Sequence, residues 1–295
     1  MQRELFSSYC RASNAQSMEQ LIDYFAILGG SDIPIDTTLS LEQVISEQIL
    51  PNYLHFRHLI DSLYMHTKES KKILIRAAKG DRRVFSIIKK AHLNDSLGLK
   101  IIDELCRADI LEYELSRESP VLKIDPKQKL KKALREHRIS HKVYFKKPFI
   151  RFWYYFIAPY EKEVAEANFE NTLKLYRRDK NSFTGHIFEQ LCKLYMSEVL
   201  YRHGVIKCDS YWDRAVEIDI LLNSARKGIA VAECKYTNTK INRSELSRLK
   251  HKCTLAKIEP QKLILFAKRG FSKELISNAD ENLLLIKADD LKPLC

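Results

Sequence analysis

Two carboxylates and one ammonium group lie in two apolar segments whose composition is typical of β-strands. Asp219 belongs to residues 216–222, and Glu233 and Lys235 belong to residues 229–235. Because side chains alternate between the two faces of a strand, Glu233 and Lys235 project to one side. A short polar turn between the segments folds Asp219 back against them. The three groups are therefore predicted to converge on one spot.

Such a set is suited to the hydrolysis of a phosphodiester. Carboxylate oxygens bind hard divalent cations, and Mg²⁺ needs few protein ligands because it keeps several of its waters. A neighbouring lysine can orient or activate one of those waters. The simpler alternative is a set of solvated charges on an amphipathic hairpin. It is disfavoured because the residues that flank the acids are apolar and β-branched.

The elements around these residues predict an α/β domain over residues 161–295. A helix over residues 183–201 precedes the two strands, and a later helix is predicted to be capped by Asn242 together with Glu245. The predicted strands cover residues 205–208, 215–222, 229–236, 262–266 and 283–286. This order predicts a mixed sheet between helices.

An all-helical segment is predicted at the start of the chain, over residues 1–66. Apolar residues recur at helical spacing over residues 18–28, until Gly29 and Gly30 end the pattern. Ser40 and Gln43 form a possible capping box ahead of a second helix. No chemistry is predicted for this segment beyond a helical cap or a dimerisation element.

Residues 67–125 have the outline of a winged-helix domain. Three short helices are predicted, the third capped by Asn94, followed by a possible hairpin that pairs residues 110–115 with residues 121–124. Such modules place a recognition helix in a DNA groove, although they also mediate protein contacts.

A basic and aromatic connector over residues 126–160 joins the two halves. Its aromatic run, residues 149–156, could stack unpaired bases, but core packing is the favoured interpretation.

The net charge of +12 is concentrated in two places. Residues 68–90 hold nine Lys and Arg against two acids, and residues 123–151 hold eleven against two. Clustered positive charge favours phosphate backbones because binding releases condensed counterions, so DNA is the predicted partner. Charge alone leaves open a solvated linker, a helix face or an anionic membrane surface. The lysines predicted to contact DNA are Lys89, Lys90, Lys100, Lys131 and Lys132.

Composition narrows the class of protein. A chain of 295 residues with 45% hydrophobic residues predicts two or three domains that fold without covalent staples. Seven scattered cysteines without a CxxC pair indicate neither a disulfide framework nor a zinc site, and a reducing cytoplasm is expected. Neither a signal core nor a membrane-spanning run is found, so no membrane association is expected. The absence of a P-loop motif argues against nucleotide hydrolysis of that type.

The residues also resemble a known family. The motifs that carry the resemblance are Gly-His-Ile-Phe-Glu at 185–189, Glu-Ile-Asp-Ile at 217–220 and Ala-Glu-Cys-Lys-Tyr at 232–236. Together they look like the PD-(D/E)xK nuclease superfamily, which includes many restriction endonucleases and archaeal Holliday junction resolvases. The resemblance implies an α/β fold with a restriction-endonuclease-like mixed sheet flanked by helices. This domain would follow the all-helical segment and the winged-helix domain that the residue patterns predict.

Site roles follow from the resemblance. Asp219 and Glu233 would ligate Mg²⁺ or Mn²⁺, and Glu189 would complete the site from its helix, directly or through a water. Lys235 would position the attacking water and offset charge on the pentavalent phosphate. Glu217 is interpreted as structural or outer shell, and His186 as a packing or capping residue that could assist proton transfer.

The longer arrangement, from about residue 69 to the end, resembles the C-terminal half of archaeal-type AAA ATPases. The ATPase domain is missing, and Lys147 precedes Pro148 where that family usually carries an aspartate. The leading hypothesis is a cytoplasmic, metal-dependent DNA endonuclease that acts as a homodimer, because a duplex has two strands to cut. The alternative is a catalytically silent DNA-binding or protein-interaction module that retains a nuclease-like fold.

Overall fold

The structure is a computed structural model, and it describes residues 2–34, 36–64, 67–120, 129 and 137–295. Its first part is helical, as predicted. The helices are α1 (Gln2–Ala12), α2 (Met18–Leu28), α3 (Leu41–Gln43, continuing as a π-helix over Val44–Ile49) and α4 (Tyr53–Leu63). The predicted end of α2 at Gly29 is confirmed, and so is the capping box of Ser40 and Gln43.

The second part contains three short helices and a two-stranded antiparallel sheet. These elements are α5 (Lys68–Ala78), α6 (Val84–Lys90), α7 (Asp95–Arg107), β1 (Leu111–Glu114) and β2 (Lys142–Phe145). The predicted cap of α7 is confirmed, since the Asn94 side chain accepts a hydrogen bond from the amide of Leu97. The predicted second strand of the hairpin, residues 121–124, lies outside the described residues. The described partner of β1 is β2, with Leu111 opposite Phe145.

The aromatic run is part of the core, and the prediction of core packing is confirmed. It forms α8 (Pro148–Phe152), which continues as a π-helix over Trp153–Ile157 and is followed by α9 (Glu161–Ala165). The rings of Phe152 and Phe156 are fully buried. Arg151 is buried with them, 4.2 Å from the centre of the Phe183 ring, and donates to the Phe183 carbonyl at 2.9 Å. Burial lowers the pKa of this guanidinium to about 9.

The last part is a five-stranded mixed sheet with helices on both faces, which confirms the α/β class. Its elements are α10 (Glu170–Tyr195, continuing as a π-helix over Met196–Leu200), β3 (Val205–Trp212), β4 (Glu217–Ser224), β5 (Gly228–Lys235), α11 (Arg243–Ala256), β6 (Lys262–Ala267), α12 (Lys273–Ser277) and β7 (Leu283–Lys287). The strands are adjacent in chain order. The pairs β3–β4 and β4–β5 are antiparallel, and β5–β6 and β6–β7 are parallel.

The helix α10 begins at Glu170, earlier than the predicted start near Phe183. Its first turns bury few side chains, among them Leu175 and Tyr176, and expose a run of charged residues. Too few apolar residues recur at helical spacing in these turns for the sequence pattern to predict them as helix.

Each face of the sheet packs on its own apolar cluster. Under α10, Ile220, Ala232 and Phe266 join a core that is continuous with the helices of the first half of the chain. Under α11, Leu221, Val231 and Leu265 form a second, smaller core. Within the described residues, no helix combines the length and apolarity needed to cross a membrane.

The expectation that the cysteines form no disulfide is wrong at one pair. Cys10 in α1 is bonded to Cys295, 285 positions later in the sequence. Neighbouring hydrogen bonds hold the same two segments together, from Ser7 to the Cys295 carbonyl at 2.7 Å and from Arg3 to the Pro293 carbonyl at 3.1 Å. Sequence spacing could not reveal this pair because the two cysteines meet only through the tertiary fold.

Opening this disulfide is expected to lower the free energy of unfolding by about 2–5 kcal/mol, because the bond closes a very long loop in the unfolded chain. Denaturant unfolding of the wild type with and without reductant measures the effect. In the Cys10→Ser variant the reductant should change nothing. Superimposable unfolding curves of oxidised and reduced wild type would contradict the expectation.

Candidate active site

Asp219 lies at a break in the pairing of β4, next to the end of its ladder with β5. Asp209 of β3 faces Leu221, but Tyr211 faces Ile218, so β4 contains one residue more than β3 over this stretch. Such bulges bend a strand and re-aim its side chains. Pairing with β5 is described from Ile220 onward. The carboxylate of Asp219 accepts a hydrogen bond from the amide of Cys234 at 2.8 Å, beyond the end of this ladder.

Glu233 and Lys235 lie on the face of β5 that α11 covers. Lys235 donates to Glu233 at 2.8 Å between Nζ and Oε1. Lys252 of α11 donates to both oxygens of Glu233, at 2.9 and 2.7 Å. Glu233 is almost fully buried, with 6% of its side chain exposed. Its carboxylate is therefore neutralised by two ammonium groups of the chain itself.

Lys235 keeps its proton. Burial disfavours its charge, but Glu233 beside it outweighs that effect, and the pKa of the ammonium lies above its usual value. Glu245 of α11, 3.6 Å away, acts in the same direction. Lys235 can therefore donate hydrogen bonds and offset negative charge, but it cannot take a proton from a water at neutral pH.

Glu189 approaches Asp219 from α10, on the other face of the sheet. Burial raises the pKa of Asp219 well above its usual value, and the negative charges of Glu189 and Glu233 raise it further. Burial also raises the pKa of Glu189, against the opposite effect of Arg82. Acids that raise the pKa of Asp219 in this way favour the binding of a further cation beside it.

The histidine one turn before Glu189 is neutral. Burial, and then the surrounding cations with Arg82 first among them, lower the pKa of His186 well below its usual value. Arg82 and the amide group of Gln190 both approach Nε2, at 3.3 and 3.0 Å. Since an arginine can only donate, Nε2 is the acceptor and the ring proton lies on Nδ1, 3.7 Å from Glu189. His186 thus orients its neighbours instead of supplying a proton.

The residues interpreted as structural have partners that fit that role. Glu217 pairs with the buried Lys142 at 2.5 Å and with Arg83 at 3.6 Å. Cys234 is buried in the core under α10, away from Glu233. Asn242 caps α11, whereas Glu245, predicted to complete that cap, pairs with Lys235 and Arg248.

The structure adds residues that the sequence did not indicate, above all Lys252 and Arg82. Lys252 lies in α11, whose exposed lysines look alike in the sequence. Arg82 lies between α5 and α6, more than a hundred positions before Glu189. Neither residue belongs to a motif, and both reach the site only through tertiary packing.

The lysines predicted to contact DNA are placed as follows. Lys89 and Lys90 are exposed at the end of α6. Lys100 is exposed on α7 and lies 4.0 Å from Glu104. Lys131 and Lys132 lie outside the described residues.

The donor types fit a divalent cation, although the side chains are not gathered around one. Among the described residues, no group of three or more His, Cys, Asp or Glu side chains is arranged to hold a metal ion. The acids are paired with cationic side chains of the protein: Glu233 with Lys235 and Lys252, and Glu189 with Arg82. Asp219 and Glu189 would hold a cation, with Glu233 as a third ligand once a lysine is displaced.

Comparison with known proteins gives a family without an assigned activity. Residues 153–249 are similar to DUF234, described as "Archaea bacterial proteins of unknown function". The matched range contains Glu189, Asp219, Glu233 and Lys235. No curated protein matches the chain, and no solved structure does.

Proposed function

We propose that the α/β part of this chain is a restriction-endonuclease-like domain that hydrolyses DNA phosphodiesters with Mg²⁺ or Mn²⁺. The observation that carries the proposal is that Asp219 and Glu189 line one small cavity, while Glu233, paired with Lys235, is near enough for its charge to raise the pKa of Asp219. An enclosed carboxylate whose pKa is raised by two neighbouring acids fits a site for a cation better than a purely structural cluster.

The residues take separate roles in this proposal. Asp219 and Glu189 hold the cation, which would supply a nucleophilic water and neutralise the phosphate. Lys235, which stays charged, donates to that water or to a phosphate oxygen and offsets the charge that develops in the transition state. Glu233 fixes the ammonium of Lys235, and it would become a further ligand of the cation only if Lys252 were displaced from it.

The helical part would hold the duplex. Its three short helices and antiparallel strands fit a winged-helix module, and Lys89, Lys90 and Lys100 are exposed there. Binding that depends on such phosphate contacts weakens as salt is added. A homodimer would present one site to each strand of the duplex.

The test is cleavage of supercoiled, linear and branched DNA by purified protein. We expect nicking of the plasmid with Mg²⁺ or Mn²⁺ and none when the metal is chelated. Retention of DNA in a gel-shift assay without cleavage under either metal would contradict the proposal.

One observation favours a second candidate, a DNA-binding or protein-interaction module without turnover. Both oxygens of Glu233 already pair with lysines, so the site is charge-balanced on that side without a metal. A measurement of Mn²⁺ binding distinguishes the two candidates, because the nuclease would bind the ion and the silent module would not. The silent module would also bind DNA equally well with and without Mn²⁺.

A further inference from the structure

The turn between α5 and α6 holds Arg82 in an unusual backbone conformation. Its φ of +60° lies in the left-handed region, which residues other than glycine seldom adopt. The turn is tied to β2 by two backbone hydrogen bonds, from Val143 to the Arg82 carbonyl at 3.0 Å and from Val84 to the His141 carbonyl at 2.9 Å. Such conformations persist where the surrounding structure enforces them, and they cluster at functional sites.

This backbone directs the Arg82 side chain into the candidate active site. Its guanidinium lies 3.3 Å from Nε2 of His186 and 3.8 Å from a carboxylate oxygen of Glu189. The side chain is 15% exposed, and both of these contacts are with α10 of the α/β part, although Arg82 itself comes from the helical part. The position of Arg82 therefore depends on both parts of the fold: β2 fixes its backbone, and α10 contacts its side chain.

The guanidinium also shares a small cavity with the acids. Its wall includes Arg82, Glu189 and Asp219, and Lys193 lies on the same wall. Lys193 is committed to the buried Glu114, to which it donates at 3.2 Å. Arg82 makes a looser contact, since 3.8 Å to Glu189 exceeds hydrogen-bond distance. Of these two cations, Arg82 is the one held less tightly by its acid.

We propose that Arg82 is the phosphate-binding arginine of this site, a group that contacts a non-bridging oxygen of the scissile phosphodiester. The inference rests on the proposed nuclease function. A guanidinium presents several donors in a planar fork that matches phosphate geometry. In this structure Arg82 is the counter-cation of Glu189. With a divalent ion held by Glu189 and Asp219, the guanidinium would be free to donate to the phosphate.

This role predicts that removal of the guanidinium affects DNA cleavage and Mn²⁺ binding differently. DNA cleavage slows, because the phosphate loses a charged donor. Mn²⁺ binding stays the same or tightens, because a competing positive charge near Glu189 is gone. A purely structural role would weaken both, since a distorted site neither holds the ion nor cleaves.

The experiment compares R82A, R82G and R82K with R83A as the matched control. R82G also removes the side chain, and glycine adopts a φ of +60° without strain. This variant should therefore keep the backbone of the turn even if R82A disturbs it. Arg83 is the chain neighbour, pairs with Glu217 at 3.6 Å and has no contact with Glu189 among those described. Calorimetry measures Mn²⁺ affinity of the metal-free protein, and plasmid nicking measures cleavage.

We expect R82A and R82G to cleave about 10²–10³-fold more slowly than the wild type, with Mn²⁺ affinity equal or higher. R82K should recover part of the rate, and R83A should match the wild type in both measurements. Wild-type cleavage by R82A and R82G, or weaker Mn²⁺ binding by both, overturns the inference about Arg82 alone. A wild type that neither binds Mn²⁺ nor cleaves overturns the proposed function, and the role of Arg82 with it.

Discussion

Replacing Asp219 with asparagine is expected to slow metal-dependent DNA cleavage by about 10³-fold or more, the upper range for loss of one preorganised electrostatic group. The amide oxygen of asparagine can still accept the hydrogen bond from the Cys234 amide, which is 2.8 Å from Asp219. The substitution therefore removes the charge and keeps the local geometry. The rate of plasmid nicking with Mn²⁺ measures the loss.

The same variant should be more stable than the wild type near neutral pH. The pKa of Asp219 is raised in the folded protein, so ionisation of this group costs stability as the pH rises above its unfolded value of about 4. Asparagine removes that cost. The gain in melting temperature should shrink as the pH falls below about 4, where the wild-type carboxyl is protonated in both states.

The matched control is Asp209→Asn, on the neighbouring strand β3. Asp209 pairs with Lys207 at 3.8 Å, outside the cluster of acids. It should cleave at the wild-type rate and gain no stability at neutral pH. An Asp219→Asn variant that cleaves normally, or that melts far below the wild type, would contradict the assignment of Asp219.

Replacing Lys235 with alanine is expected to slow cleavage by about 10²-fold or more, because the site loses an ammonium group that can offset developing charge. Lys252 still donates to both oxygens of Glu233, so the buried carboxylate keeps a counter-charge and the fold is retained. DNA affinity in a gel-shift assay should change little, because a single lysine contributes little to the total phosphate contact.

The control for this change is Lys207→Ala, which removes a lysine from β3 that is 44% exposed. Its cleavage rate should equal that of the wild type. If Lys235→Ala instead lost DNA binding in proportion to cleavage, Lys235 would be a binding residue and its assigned role in the chemical step would be wrong.

The local patterns of the sequence were enough to predict the sheet. Short apolar segments indicated all five strands of the last part, although β3 extends to Trp212, beyond the predicted residues 205–208. The acids at 219 and 233 stood out against apolar neighbours. The helix N-caps at Ser40 and Asn94 could also be predicted, because a capping side chain and the backbone amide that donates to it are only three positions apart. Local signals of this kind depend on neighbours in the chain.

The features that sequence reasoning missed depend on tertiary packing. The bulge at Asp219 arises from a mismatch between β3 and β4, which neither strand reveals alone. Arg82 and Lys252 reach the acids from separate helices and turns, and no spacing rule links them to Glu189 or Glu233. The bond from Cys10 to Cys295 joins the two ends of the sequence. Each of these depends on contacts that form only when the elements assemble.

Charge balance explains why these missed residues matter for the candidate site. Without a metal ion, buried acids require counter-charges from the chain, and Lys252, Lys235 and Arg82 provide them. A divalent ion would compete with these three side chains. We therefore predict that metal binding rearranges the lysine and arginine side chains while the strands β4 and β5 stay in place.

Anomalous scattering from a crystal soaked in Mn²⁺ would show whether Asp219 and Glu189 hold a metal ion. We predict a manganese peak within about 2.0–2.5 Å of carboxylate oxygens of Asp219 and Glu189, with the Arg82 guanidinium moved away from Glu189. A crystal at saturating Mn²⁺ that shows no peak there, with Glu233 still bonded to Lys252 and Lys235, would contradict the claim that these acids form a metal site.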